Sequence, residues 1–451
     1  MKIRLKLSTT QILLLSFLAT IFVGGIILTL PICASNGQAT NFIDALFTAT
    51  TATCVTGLVT VPTFSHWSTL GHVIILALIQ VGGLGVVTVI ASVSVFLHKK
   101  MGLASGLLIQ DAMNINTMSD LGPFLKKVVI GTFLVEGIGA LCYMIVFVPE
   151  FGLQGIWFSI FNAVSAFCNA GIDIIAPDSL CKYIGNPIIN FTTCTLIILG
   201  GLGYIVWLDV IGLLKDAKNQ KVRFRNLTLH SKIVICATAF LILVGAILIF
   251  IFEHDNLLTL QGLSLSDKIQ ASIFQSVTCR TAGFVTTPQE NLTTPSAIIS
   301  MILMFIGGSP VGTAGGVKTV TFVVLLSSAI ATIRNSDDVN LFNRRLPRES
   351  VRKSVAVVCV SLFVVVLSTL LLSVAMPDVD LLSIVYETIS ATATVGSSRN
   401  LTSHLNDIGK LIIIATMYLG RVGPISLAIA FNTNRENKNI IRNPEEEISV
   451  G

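Results

Sequence analysis

Four short stretches of the chain end alike, on a small polar run and a glycine: TATCVTG (51–57), SAFCNAG (165–171), VTCRTAG (277–283) and SATATVG (390–396). Their glycines, Gly57, Gly171, Gly283 and Gly396, lie 114, 112 and 113 residues apart. Four near-equal repeats in one chain restrict the fold to an arrangement with pseudo-fourfold symmetry. The residues between them restrict the solvent. Only 12% of the 451 residues are charged, against about 25% in a soluble protein, and the mean hydropathy is +0.83. This is the pattern of a polytopic membrane protein.

Each repeat reads as an apolar helix, a short amphipathic segment, a glycine loop and a second apolar helix. The first helices are predicted over 11–30, 127–148, 231–252 and 352–376, and the short segments over 42–53, 156–167, 268–279 and 381–392. The second helices are predicted over 69–97, 188–213, 295–333 and 408–431. A helix of about 12 residues reaches only about 18 Å, too short for a bilayer core of about 30 Å. Each short segment must therefore enter and leave by the same face. Non-helical backbone at that depth is tolerated only where it is buried or lines a water-filled cavity, so the glycine loops are candidates to line a pore. The expected fold is all-α and integral to the membrane: four parallel M1–pore helix–M2 repeats around a pseudo-fourfold pore, eight transmembrane helices plus four re-entrant pore helices. The expected repeat boundaries are 1–100, 101–225, 226–345 and 346–451.

Lys2, Arg4 and Lys6 precede the apolar stretch from Gln11 to Leu30, an order shared with signal peptides. The stretch has the length of a span and begins the first repeat, so it is expected to stay. The nine cysteines are odd in number and irregular in spacing, which indicates no disulfide framework. With the N-terminus inside and two crossings per repeat, 22 of the 29 Lys and Arg residues fall in inside segments. Lys182, Lys268, Arg280, Arg399 and Lys410 fall outside, and Lys318 and Arg421 fall within spans. This positive-inside bias places both termini in the cytoplasm and turns the glycine loops outward.

The residues before each glycine are Val55-Thr56, Asn169-Ala170, Thr281-Ala282 and Thr394-Val395. They form no acidic ring. Backbone carbonyls would therefore replace the water shell of a monovalent cation, where a divalent ion would call for carboxylates. Glycine reaches the positive φ that aims successive carbonyls one way. Short helices aimed at the pore present their negative C-terminal ends to a cation. Cys54, Cys168 and Cys279 lie in two different registers without a nearby histidine and read as packing residues rather than soft-metal ligands.

A second register lies 24 to 29 residues beyond each of these glycines: GGLG (82–85), GGLG (200–203), GGSP (307–310) and GRVG (420–423). Small residues there permit close helix packing. Position two reads Gly83, Gly201, Gly308 and then Arg421. A charge inside an apolar helix costs about 2.5–3.5 kcal/mol on insertion scales and is a functional candidate. It would repel a cation below the loops or anchor nearby carbonyls.

The third repeat differs most. Segment 295–333 has 39 residues, about 58 Å as one helix, and contains GGSPVGTAGGVKT (307–319). The helix is expected to break there. The strip carrying Gly307, Gly308, Ser309, Gly312, Thr313, Gly315, Gly316 and Lys318 then lies beneath the third loop as a candidate gate, together with Arg421. A nucleotide P-loop needs glycine immediately before its lysine, and Val317 stands there. Glu136 and Glu387 are expected as internal hydrogen-bond partners, with Glu387 placed to counter Arg280. Asp44 and Asp173 are expected near the outer mouth.

ATCVTGL, SAFCNAG, RTAGF, GGSPVGTAGGVKT and GRVGP together resemble the Trk/Ktr/HKT superfamily of potassium transporters over nearly the whole chain. With no helices ahead of the first repeat, the chain looks more like the KtrB type than the TrkH type. The resemblance implies K+ (potassium) uptake across the cell membrane through a channel-like pore, with Na+ (sodium) as an activator. It implies a homodimer with one pore per subunit and a cytosolic, nucleotide-binding RCK regulatory ring, KtrA-like, docked on the inner face. The filter would be the backbone of Val55, Thr56, Gly57, Asn169, Ala170, Gly171, Thr281, Ala282, Gly283, Thr394, Val395 and Gly396. Four filter glycines go with K+ selectivity in that family. SATATVG departs from its commoner fourth-repeat pattern.

Two other classes are weighed against this. A secondary transporter would show inverted repeats, and these run parallel. A membrane enzyme would cluster its catalytic groups, whereas His66, His72, His98, His230, His254 and His404 are scattered. Nothing in the sequence points to nucleic acid.

Overall fold

The structure, a computed structural model, describes residues 8–96, 121–216 and 224–423. Four helices there are long and apolar enough to cross a membrane: α1 (Thr9–Thr29), α5 (Leu121–Phe151), α9 (Leu229–Glu253) and α13 (Arg348–Ala375). Each is followed by a shorter helix: α2 (Phe42–Cys54), α6 (Gln154–Cys168), α10 (Leu265–Thr278) and α14 (Leu381–Ala393). Three of these short helices start on a side-chain cap, from Asn41, Ser264 and Asp380, which satisfies an orphan amide of the first turn.

The helices that follow the loops are α3 (Thr69–Leu84), α4 (Val86–Phe96), α7 (Pro187–Leu202), α8 (Tyr204–Asp216), α11 (Thr294–Phe305), α12 (Thr319–Ile333) and α15 (Asp407–Val422). Here the sequence expectation is corrected. A break was expected in segment 295–333, and the chain is indeed non-helical between Phe305 and Thr319. Segments 69–97 and 188–213, expected to be continuous, are broken too. Helix α4 leaves α3 at 91°, and α8 leaves α7 at 98°. The hinges are Gly85 and Gly203, at φ 85° and 87°, the fourth residues of the two GGLG runs. Gly423, at φ 91°, caps α15 in the same register. Only glycine takes this backbone without a steric cost.

The all-helical expectation needs one addition. β1 (Asn340–Leu341) and β2 (Arg344–Arg345) pair antiparallel in a small hairpin. By length and composition the described residues hold four spans, or six if each bent pair counts as one. The boundary at 100/101, residues 424–431, and Lys2, Arg4, Lys6, Lys99, Lys100, Lys218, Lys221, Arg223, Arg435, Lys438 and Arg442 lie outside the described residues.

One contact recurs between long helices and the helices after the loops. An added Cβ on Gly24 of α1 would meet Leu78 of α3 at 2.8 Å. Gly139 of α5 stands likewise against Leu196 of α7 at 2.7 Å, and Gly245 of α9 against Leu303 of α11 at 2.7 Å. Each leucine lies four residues before the first glycine of its GGxx run. At the fourth such place Thr416 of α15 hydrogen-bonds Ser368 of α13 at 2.8 Å. Small residues thus let the backbones approach, as expected where lipid leaves little hydrophobic drive between helices.

Candidate functional site

The loops that follow α2, α6, α10 and α14 meet one another. A Cβ added to Gly57 would lie 2.5 Å from the Ala170 carbonyl oxygen and 3.2 Å from Gly396 Cα. One on Gly171 would lie 2.8 Å from Gly283 Cα, one on Gly283 3.1 Å from Gly396 Cα, and one on Gly396 2.8 Å from Gly57 Cα. The four glycines therefore form a closed ring that excludes any larger side chain. Their φ values are 101°, 62°, 83° and 96°.

The residue two before each glycine is also left-handed: Val55 at φ 56°, Asn169 at 59°, Thr281 at 69° and Thr394 at 52°. Asparagine tolerates this region, but β-branched residues do not. Each held there costs about 1–3 kcal/mol and persists only where its surroundings over-determine it. All four side chains are buried.

What holds the loops is a set of hydroxyls the sequence reading passed over. Thr51 Oγ1 accepts from Gly57 N at 2.9 Å, and Ser390 Oγ accepts from Gly396 N at 3.1 Å. Ser165 Oγ donates to Ile172 O at 2.6 Å, and Thr278 Oγ1 donates to Phe284 O at 2.6 Å. The first letter of three of the four motifs is that hydroxyl, so the signal was present. In VTCRTAG the hydroxyl sits one place later, and the backbone differs to match. Helix α10 stops at Thr278 and is followed by a right-handed Cys279, whereas α2, α6 and α14 pass straight into a left-handed residue.

That shift redirects Arg280. It does not face Glu387 at an outer mouth, as expected from the sequence. It is buried and donates to Thr238 O at 3.2 Å and Gly307 O at 3.4 Å. Glu387 instead accepts from Ser398 Oγ at 2.6 Å and from Thr402 Oγ1, bracing the chain beyond Gly396. Glu136 accepts from Gln80 Nε2 at 3.1 Å, an internal partner as read. Asp44 is neutralised by Lys410 at 2.8 Å. Cys54, Cys168 and Cys279 are buried.

Strip 307–318 packs against the second, third and fourth loops, meeting Phe167 O, Thr281 and Thr394. Ser309 N donates to Gly201 O at 2.9 Å and Thr313 N to Gly200 O at 3.1 Å. Gly315 N donates to Thr281 Oγ1 at 3.3 Å, and Ser309 and Thr319 share a hydroxyl bond at 3.0 Å. Lys318 Nζ turns back onto Ala314 O at 2.6 Å and Gly315 O at 3.3 Å. Arg421 donates to Thr313 O at 2.6 Å and also to Gly82 O. Of the expected gate residues, Gly308, Ser309, Thr313 and Gly315 are buried, and Gly307 packs on Gly316.

Two cavities flank the ring. One, of about 450 Å³, is lined by all four ring glycines with Asp173, Asp178 and Glu290. The other, of about 420 Å³, is lined by Gly83, Gly312, Gly316, Lys318, Thr392, Ala393 and Arg421. Both cations face the second cavity, and no carboxylate lines it. Among the described residues no group of three or more metal-ligating side chains is present.

The family model described as a cation transport protein, TrkH, matches residues 8–442. The chain is 37% identical to the potassium/sodium uptake protein NtpJ of Enterococcus hirae, over 100% of this chain and 99% of that one. It is 37% identical to the Ktr system potassium uptake protein B of Bacillus subtilis, over 99% and 97%. The crystal structure of the potassium transporter TrkH from Vibrio parahaemolyticus superposes with a TM-score of 0.74 at 17% identity, covering 96% of this chain and 86% of that one.

Proposed function

The chain belongs to the TrkH family of cation transport proteins, a multi-pass membrane protein and not an enzyme, and on that premise we propose that it takes up potassium ions through a pore closed by strip 307–318. The observation that carries this reading is the ring in which Gly57 abuts Ala170 and Gly396, Gly171 abuts Gly283, and Gly283 abuts Gly396. Four left-handed residues and four glycines put the backbone of residues 55–57, 169–171, 281–283 and 394–396 in reach of one axis. Carbonyls there substitute for the water shell of a monovalent ion. The four short helices end at the ring and add their negative ends.

In this reading the chain is four parallel M1–pore helix–M2 repeats with eight spans, the third M2 being α11 and α12 around the strip. The loops face outward and both termini lie in the cytoplasm, in keeping with the positive-inside bias. The strip, Lys318 and Arg421 form the gate, since the strip touches the loops through Thr313 and Gly315 and, with Lys318 and Arg421, lines the second cavity. In this reading the protein works as a homodimer under a cytosolic RCK ring, with Na+ as activator, as the resemblance to the Trk/Ktr/HKT superfamily implies.

The test is Rb+ uptake into liposomes against competing K+ and Na+, with and without a Ktr-type cytosolic subunit. Uptake blocked by K+ and stimulated by Na+ is expected. The name of the Enterococcus hirae relative favours a second reading, transport of Na+ itself. Na+ competing as well as K+ would decide for it.

A further inference from the structure

Asn169 differs from its three counterparts in what it can reach. Val55 has no polar atom, and Thr281 and Thr394 each carry one hydroxyl. The Asn169 amide carries a donor and an acceptor on opposite sides. Its Nδ2 lies 3.4 Å from Arg280 O and 3.5 Å from Thr281 Oγ1, in the neighbouring ring loop. Its Oδ1 accepts from Thr313 Oγ1 at 3.3 Å, in the strip beneath. The Arg280 carbonyl can only accept, which fixes the orientation of the amide. The same Thr313 hydroxyl lies 3.0 Å from Phe167 O, in the last turn of α6, a carbonyl left without a helical partner. Packing leaves no slack: a Cβ on Gly200 would lie 2.7 Å from Thr313 Oγ1 and 2.8 Å from Asn169 Oδ1.

We propose that Asn169 is a positioning residue that latches the ring to the strip, so that the strip cannot leave without loosening the third ring loop. The inference rests on the reading of the ring as filter and the strip as gate. Its physical content is a competition. While the strip is seated, the Thr313 hydroxyl shares its one proton between the Phe167 carbonyl and the Asn169 amide oxygen. When the strip withdraws, both face the ion path, and Asn169 no longer bridges to Thr281. Gating and selectivity then change together, which two independent parts would not do.

The test is a double-mutant cycle on the full chain in liposomes, reading Rb+ uptake rate and the K+/Na+ competition ratio for Asn169→Ala, Thr313→Val and the double variant. Asn169→Ala removes both the donor to the third loop and the acceptor for Thr313; Thr313→Val removes the hydroxyl and keeps the shape. Each single variant is expected to raise the rate and lower the ratio. The double variant should fall short of the product of the two by about five-fold, the free energy of one net buried hydrogen bond. Thr313→Ser should restore the wild-type ratio, which a folding defect would not. Additive effects, or rate changes without a change in ratio, overturn the latch while leaving the filter reading intact. If Gly283→Asp leaves the ratio unchanged, the filter reading itself fails and the latch with it.

Discussion

Arg421 Nη1 lies 2.6 Å from the carbonyl oxygen of Thr313, so the end of α15 holds the strip that interrupts the third post-loop helix. The other arm of the same guanidinium donates to Gly82 O, which ties both to the end of α3. One side chain at the place where the other repeats carry Gly83, Gly201 and Gly308 thus joins three segments beneath the ring.

Replacing Arg421 with alanine is expected to free the strip and remove positive charge from the 420 Å³ cavity. Both effects favour cation passage. A charged hydrogen bond contributes about 1.5–3 kcal/mol net, so Rb+ uptake into liposomes should rise by about ten-fold or more. A fall in uptake by a monodisperse variant would count against the gate.

Gly283→Asp tests the ring. A Cβ there would lie 3.1 Å from Gly396 Cα and closer still to the Val395 carbonyl oxygen. Overpacking of this kind costs about 1–3 kcal/mol, and the carboxylate adds a fixed charge to a site built of dipoles. K+-competed Rb+ uptake should drop by about ten-fold, with weaker discrimination against Na+. Unchanged uptake would remove the ring from the transport path.

These two sites differ in how far the residues announce them. The ring glycines were legible because four copies of one motif repeat at near-equal spacing. The strip was legible because a 39-residue segment is too long for one span and carries Pro310 among five glycines in its middle. The hinges at Gly85 and Gly203 were not, since GGLG contains no proline and its flanks have ordinary span length. The same letters serve close packing at Gly82 and a 91° turn at Gly85. Left-handed Val55 and Thr394 run against local preference, and only the ring they complete explains them. Arg280 was misplaced because the one-residue shift of its loop is marked only by the later place of the Thr278 hydroxyl in VTCRTAG, which an alignment on the glycines passes over.

The first glycine of the two GGLG runs and of GRVG makes a separate stability prediction. Gly82, Gly200 and Gly420 pack on the carbonyls of Thr53, Phe167 and Thr392, at one register of three short helices. The alanine methyl would collide with backbone, which cannot rotate away. Each substitution should destabilise the protein by about 1–3 kcal/mol, read as a lower unfolding temperature in detergent. Gly137→Ala is the control: nothing lies within 4 Å of its added methyl. Equal shifts at Gly82 and Gly137 would contradict the packing account.

The last prediction concerns pH. Burial pushes the Asp173 carboxyl up to about 6, with a Ser179 hydrogen bond pulling the other way. Asp173 lines the cavity on the loop side of the ring together with Asp178 and Glu290. Above pH 6 the group is charged and raises the local cation concentration. As pH falls through about 6 it takes up a proton and that contribution disappears. Uptake at low K+ should therefore weaken on going from pH 7.5 to 5.5, as a higher KM with little change in maximal rate, because the ring itself is untouched. Asp173→Asn should show the acidic KM at both pH values. A pH dependence that persists unchanged in this variant would assign the titration to another group.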